Sequence, residues 1–162
     1  MEISIASHKI IPLVLVVTFL APSSTSRTGP NVTSYDEPGP RSNCYIKVDD
    51  PHISEYYKKR DEVRVKVNAR SICTYGHRNV KLTIEIWKEG RIGSNFVGRF
   101  STNPVAPTSL GNQVDLKSAS VLCKNRQPTD YFAYAYGKAE VNGKIRRTPV
   151  AVSRHLELRC GT

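Results

Sequence analysis

A chain of 162 residues, 39% hydrophobic, with 24 Lys plus Arg against 14 Asp plus Glu, has material for one hydrophobic core rather than two and a formal charge of +10 at pH 7. That excess favours anionic surroundings, such as cell-wall polymers, acidic glycans, lipid headgroups or nucleic acid, through attraction that salt weakens; it does not choose among them, and a purely solubilising role is the alternative. The four cysteines, Cys44, Cys73, Cys123 and Cys160, follow an apolar leader and read as disulfide candidates rather than metal ligands.

Residues 1–26 are predicted to be a signal peptide. Lys9 precedes an apolar run from Ile10 to Leu20, too short to span a membrane, and small residues at Ala21, Ser23, Ser24 and Ser26 suit cleavage between Ser24 and Arg27. An uncleaved anchor is the alternative, which Pro12 and the short apolar run disfavour. Cleavage removes one base and one acid, Lys9 and Glu2, so the charge belongs to the mature protein. Residues 27–42, rich in proline and glycine and without hydrophobic alternation, predict a flexible linker. Asn31, Val32 and Thr33 within it form a glycosylation sequon, meaningful only for a eukaryotic source.

Residues 43–162 form a single predicted domain in which apolar residues recur with period two and helix is nowhere strongly indicated. The first strand alternates Cys44, Ile46 and Val48 with Tyr45, Lys47 and Asp49, and stops at the turn residues Asp49, Asp50 and Pro51. The second places Val63, Val65, Val67, Ala69 and Cys73 on one face and Arg64, Lys66, Asn68 and Arg70 on the other. The third turns Val80, Leu82, Ile84 and Ile86 inward and Lys81, Thr83, Glu85 and Trp87 outward; a neighbouring loop is expected to cover Trp87 in part. Weaker strands follow at 92–100 and 113–122. The last two, 131–141 and 144–158, flank Asn142 and Gly143, a pair suited to the positive φ angles of a type I′ hairpin turn.

That turn sets a register in which Val141 faces Lys144 and Cys160 falls opposite Asn125, two residues from Cys123. An antiparallel pairing of 44–49 with 62–73 likewise brings the start of one strand beside the end of the other. The predicted bridges are Cys44 to Cys73 and Cys123 to Cys160, each stabilising by roughly 3 to 4 kcal/mol in the chain-entropy model. About seven strands with two bridges point to an all-β, immunoglobulin-like β-sandwich, with a Greek-key β-barrel as the alternative. Trp87 departs from the immunoglobulin pattern, in which a tryptophan packs on the bridge.

The final hairpin has two unlike faces. Ala133, Ala135, Ala139, Val141, Val150, Val152, Leu156 and Leu158 form the candidate core face, interrupted by Arg154. Phe132, Tyr134, Tyr136 and Lys138, with Arg147, Pro149, Ala151, Ser153 and His155, form the other. If exposed, Phe132, Tyr134, Tyr136, Lys138 and Arg147 make a ligand-binding stripe in which rings stack on sugars or bases while cations meet anionic groups. The competing readings put the large rings in the core, or cover them with another strand. Arg64, Lys66 and Arg70, preceded by Lys58, Lys59 and Arg60, form a second basic surface, read first as a solvated strand face.

No catalytic residues are assigned. His52, His77 and His155 admit a small ribonuclease using two histidines as acid and base, but no spacing singles that out from three unrelated surface histidines. Cys-x-x-Cys, His-x-His, a nucleophile elbow, a P-loop and a dinucleotide fingerprint are all absent, so no metal and no cofactor is expected. The runs CYIKVDDPHIS from Cys44, VRVKVNARSIC ending at Cys73, IEIWKEG, YFAYAYGKAEVNGK and VSRHLELRC resemble small secreted proteins of actinobacteria and other Gram-positive bacteria. The resemblance spans most of 43–160. It implies a secreted bacterial sandwich with paired cysteines, and carries no activity or site residues. The expectation is a secreted, non-enzymatic binding or adhesion module for an anionic polymer, glycan or cell surface, without a transmembrane anchor. A small secreted toxin or ribonuclease-like enzyme is the alternative; nucleic acid is an open but unsupported partner.

Overall fold

The computed structural model describes residues 31–35, 44–74, 77–104 and 112–162; the predicted leader lies outside them. In chain order the strands begin with β1 (Val32–Ser34), β2 (Cys44–Val48) and β3 (His52–Ile53), followed by a one-turn helix, α1 (Glu55–Lys58). Then come β4 (Arg64–Lys66), β5 (Ala69–Cys73), β6 (Arg78–Gly90), β7 (Gly93–Ser101), β8 (Gln113–Leu116) and β9 (Ser120–Leu122). The chain closes with β10 (Asn125–Val141), β11 (Lys144–Arg147), β12 (Ala151–Val152) and β13 (Leu156–Gly161). The fold is all-β and sandwich-like, as the period-two patterning predicts.

Among the described residues the strands form three sheets. One has the order β1-β2-β5-β8; a second runs β11-β10-β6-β7, with β12 and β13 also pairing with β10; a small third is β3-β4-β9. Ile46 and Val48 of β2, Val80, Leu82, Ile84 and Ile86 of β6, and Ala133, Ala135 and Ala139 of β10 fill the space between the larger sheets. The alanines let the sheets approach, and Gly137 takes this furthest. A Cβ there would lie 2.9 Å from Ile46 Cδ1 and 2.8 Å from the Lys81 carbonyl oxygen. Both predicted bridges are formed, and Cys44 pairs with Cys73 in the β2–β5 register.

More strands are present than the seven expected because predicted strands break where they change sheets. The run from Val63 to Cys73 keeps its inward alternation, with Val65, Val67, Ala69, Ser71 and Cys73 all buried. Its hydrogen bonds do not stay with one partner: Val67 N–H donates to Ala119 O, and β4 and β5 belong to different sheets. Part of the predicted linker is also strand. Residues 32–34 pair with 45–47, Thr33 and Tyr35 are buried, and the Tyr35 hydroxyl lies 2.8 Å from Ser71 Oγ. Two inward side chains and a ladder supply the burial that composition alone did not reveal.

The Asn142–Gly143 turn has the predicted positive φ angles, 51° and 73°, and Val141 faces Lys144. The register then slips. Gly137 N–H donates to Thr148 Oγ1, Pro149 has no N–H to offer, and pairing resumes with Ala135 opposite Ala151. A one-residue slip exchanges faces, so Ala151 and Ser153 are buried, Val150 is exposed, and Val152 sits opposite Tyr134. This corrects the predicted core face at Val150 and Val152. The register moves by one more residue where Tyr131 pairs with Leu156 and back by one at an irregularity between Pro128 and Asn125, which leaves Gly161, rather than Cys160, opposite Asn125.

Candidate functional site

The face of the β11-β10-β6-β7 sheet turned away from the core carries the predicted stripe, and the register sorts it into rows. Phe132, Trp87 and Phe96 are aligned across β10, β6 and β7; Tyr134, Glu85 and Arg99 form the next row; Tyr136, Thr83 and Ser101 the one after. In the last row Lys81, Lys138 and Arg147 face one another across β6, β10 and β11. Alternate residues on one strand share a face, so one aromatic end and one cationic end follow from the sequence of β10 itself.

Phe132 is enclosed at the centre of the aromatic end, while Phe96 at its margin is 51% exposed. Phe132 is stacked between His155, centroids 4.3 Å apart and planes 8° from parallel, and Trp87, at 6.5 Å and 20°. Tyr134 meets both Phe132 and Trp87 edge-on, and Phe96 meets Trp87 likewise. Phe132 is only 3% exposed as a result. These rings lie on the outward face of the sheet, and there Phe132 is covered by its neighbours. Trp87, half-buried, packs against the rings of Phe96, Phe132 and Tyr134.

Glu85 joins the two ends. Its carboxylate accepts from Tyr136 Oη at 2.9 Å, from Arg99 Nε at 2.8 Å and from Trp87 Nε1 at 3.3 Å. Burial pushes the carboxyl up, and these hydrogen bonds with the Arg99 charge outweigh it, so Glu85 titrates below its ordinary range. Tyr136 moves up, through burial first and then through Glu85. Arg99 is thus held at a fixed position while its side chain stays 61% exposed.

Beyond Glu85 lies a depression of about 410 Å³ lined by Lys81, Thr83, Arg99, Ser101, Tyr136, Lys138, Arg147 and Thr148. Among the described residues no carboxylate pairs with Lys81, Lys138 or Arg147. Like charges directly opposite on neighbouring strands destabilise a sheet, and here two such pairs share Lys138. Three of the five residues predicted as a ligand stripe, Tyr136, Lys138 and Arg147, therefore line one depression, while Tyr134 and Phe132 belong to the ring cluster. Lys81 and Arg99 went unrecognised. Lys81 was legible as an outward strand residue, but its place beside Lys138 depends on pairing between strands some fifty residues apart.

The other basic surface is neutralised in part, at Lys58, Arg64 and Arg70. Arg64 binds Glu62 at 2.7 Å and lies over the Tyr57 ring, Arg70 reaches both oxygens of Asp49 at 3.1 Å, and Arg60 lies over Tyr56. The histidines are scattered. His52 is exposed and contacts Asp50 O, whereas His155 is stacked on Phe132 and 3.3 Å from Glu89. His77 is buried, its Nε2 2.9 Å from Ser71 Oγ, and desolvation lowers its pKa to about 4. Among the described residues no three His, Cys, Asp or Glu side chains are grouped to hold a metal ion, and no helix is long and apolar enough to cross a membrane. No family model, curated protein or solved structure matches this chain.

Proposed function

We propose that this protein is a secreted, non-enzymatic binding module that attaches to an anionic extracellular or cell-envelope ligand through the cationic end of the β11-β10-β6-β7 sheet. One observation carries the reading: Lys81, Lys138 and Arg147 stand in register on adjacent strands with no described carboxylate between them. The fold tolerates the repulsion of that row, and an anion relieves it. Export is supported by the leader and by two bridges, which persist in oxidising compartments.

The test is retention of the purified, oxidised protein on an anionic matrix across a salt gradient. Wild type elutes late, and a Lys81→Gln, Lys138→Gln, Arg147→Gln variant elutes early with an unchanged circular dichroism spectrum. Unaltered elution of the variant removes the depression from the account. Incubation with RNA, DNA and vesicles covers the enzymatic rival, for which degradation or leakage is the supporting result.

A further inference from the structure

The same depression narrows the chemistry of its ligand. Phe132 is closed to stacking, since it is 3% exposed among the rings of His155, Trp87 and Tyr134, and Tyr136, the ring that lines the depression, has its hydroxyl committed to Glu85. Ligand contacts fall instead to cations and hydroxyls. Thr83 Oγ1 and Ser101 Oγ, 2.9 Å apart, share one hydrogen bond and retain capacity for another partner. Arg99 is oriented by Glu85 and keeps an exposed guanidinium, whose planar fork suits tetrahedral oxyanions.

Spacing and charge density add to this. Adjacent strands lie about 4.8 Å apart, so the three cations of the row spring from points spanning roughly 10 Å. The depression, about 410 Å³, has room for a compact molecule. Four cations border it, and Glu85, its neighbouring carboxylate, is committed to Arg99, Tyr136 and Trp87. One carboxylate per sugar ring leaves cations facing each other across the strands. Two or more ester oxyanions on neighbouring carbons match both the pitch and the charge.

Resting on the binding role above, we propose that the Lys81–Lys138–Arg147 depression takes a compact polyol bearing at least two phosphate or sulfate esters. Free sugars and terminal units of a larger glycan share that chemistry.

Isothermal titration of the oxidised protein tests it with four probes: myo-inositol hexakisphosphate, a trisulfated heparin disaccharide, an unsulfated glucuronate-containing disaccharide and a short oligothymidylate. One or both of the first two bind saturably, at least tenfold more tightly than the last two, and which of them binds tells phosphate from sulfate. Lys138→Gln weakens that binding by roughly tenfold, as expected for loss of a charge-assisted contact. Equal binding of the unsulfated disaccharide overturns the density requirement, and tighter binding of oligothymidylate overturns the exclusion of stacking. If none of the probes binds while salt-sensitive retention on an anionic matrix persists, the ligand class is wrong and the binding role stands; if retention is absent too, both fall.

Discussion

Acidification should weaken this fold well before its carboxylates titrate. His77 is 2% exposed, its Nε2 meets Ser71 Oγ, Ser71 in turn meets Tyr35, and its Nδ1 has no hydrogen-bond partner. Desolvation depresses its pKa from 6.5 to about 4. In the unfolded chain the same ring takes a proton near pH 6.5, so between pH 6.5 and 4 the unfolded state binds more protons than the folded state and stability falls with pH. One pKa unit corresponds to about 1.4 kcal/mol, which gives a loss of about 2 kcal/mol at pH 5 and about 3 kcal/mol near pH 4. A loss of that size at pH 5 lowers Tm by roughly 6 to 10 °C for a domain of this length. Urea unfolding followed by circular dichroism at several pH values measures it. His77→Gln, which keeps an amide near Ser71 and does not titrate, should flatten the slope above pH 5. Asp50 and Glu85, whose pKa values are lowered in the fold, contribute stability that disappears only below their ordinary ranges near pH 4. A wild-type profile that is flat from pH 6.5 to 5, or a His77→Gln profile with the same slope, refutes the assignment.

Other substitutions probe the packing. Gly137→Ala should destabilise by about 1 to 3 kcal/mol in chemical denaturation, since its methyl meets Ile46 and the Lys81 carbonyl. Phe132→Ser should lose roughly 3 kcal/mol by the same measurement, because it removes the middle plate of the stack, whereas Tyr136→Ser should leave more of the stability. Paired Cys123→Ala and Cys160→Ala replacement opens a bridge between residues 37 apart and should lower stability by about 3 to 4 kcal/mol, read from the urea midpoint.

The period-two alternation of β2, β6 and β10 was enough to place Ile46, Leu82, Ile84 and Ala135 in the core, because a strand gives each side chain one of only two faces. The Asn-Gly turn was legible for a similar reason: few residue pairs accept two positive φ angles. What escaped was non-local. The slip after Thr148 depends on a side-chain hydroxyl taking a ladder hydrogen bond, and it exchanged Val150 for Ala151 in the core. Strand β1 hides in a proline-rich segment and is held by partners in β2 and β5. The alternation of β10 sets the direction of the aromatic stripe but leaves open whether Phe132 is covered, because the rings packed on it, His155 and Trp87, lie on a loop and on another strand. Two of the three residues of the cationic row, Lys138 and Arg147, are legible on one hairpin; Lys81 joins them, and Arg99 comes to border the same depression, only through pairing between distant strands.

Whether local arrangement or total charge drives attachment is decided by comparing two variants of equal net charge. One carries Lys81→Gln, Lys138→Gln and Arg147→Gln; the other carries Lys58→Gln, Lys59→Gln and Arg60→Gln, exposed residues in and just after α1. Elution from an anionic matrix against salt should shift strongly for the first and little for the second. Equal shifts in both would mean that the protein is held by its overall charge, and that the register of the three strands has no part in it.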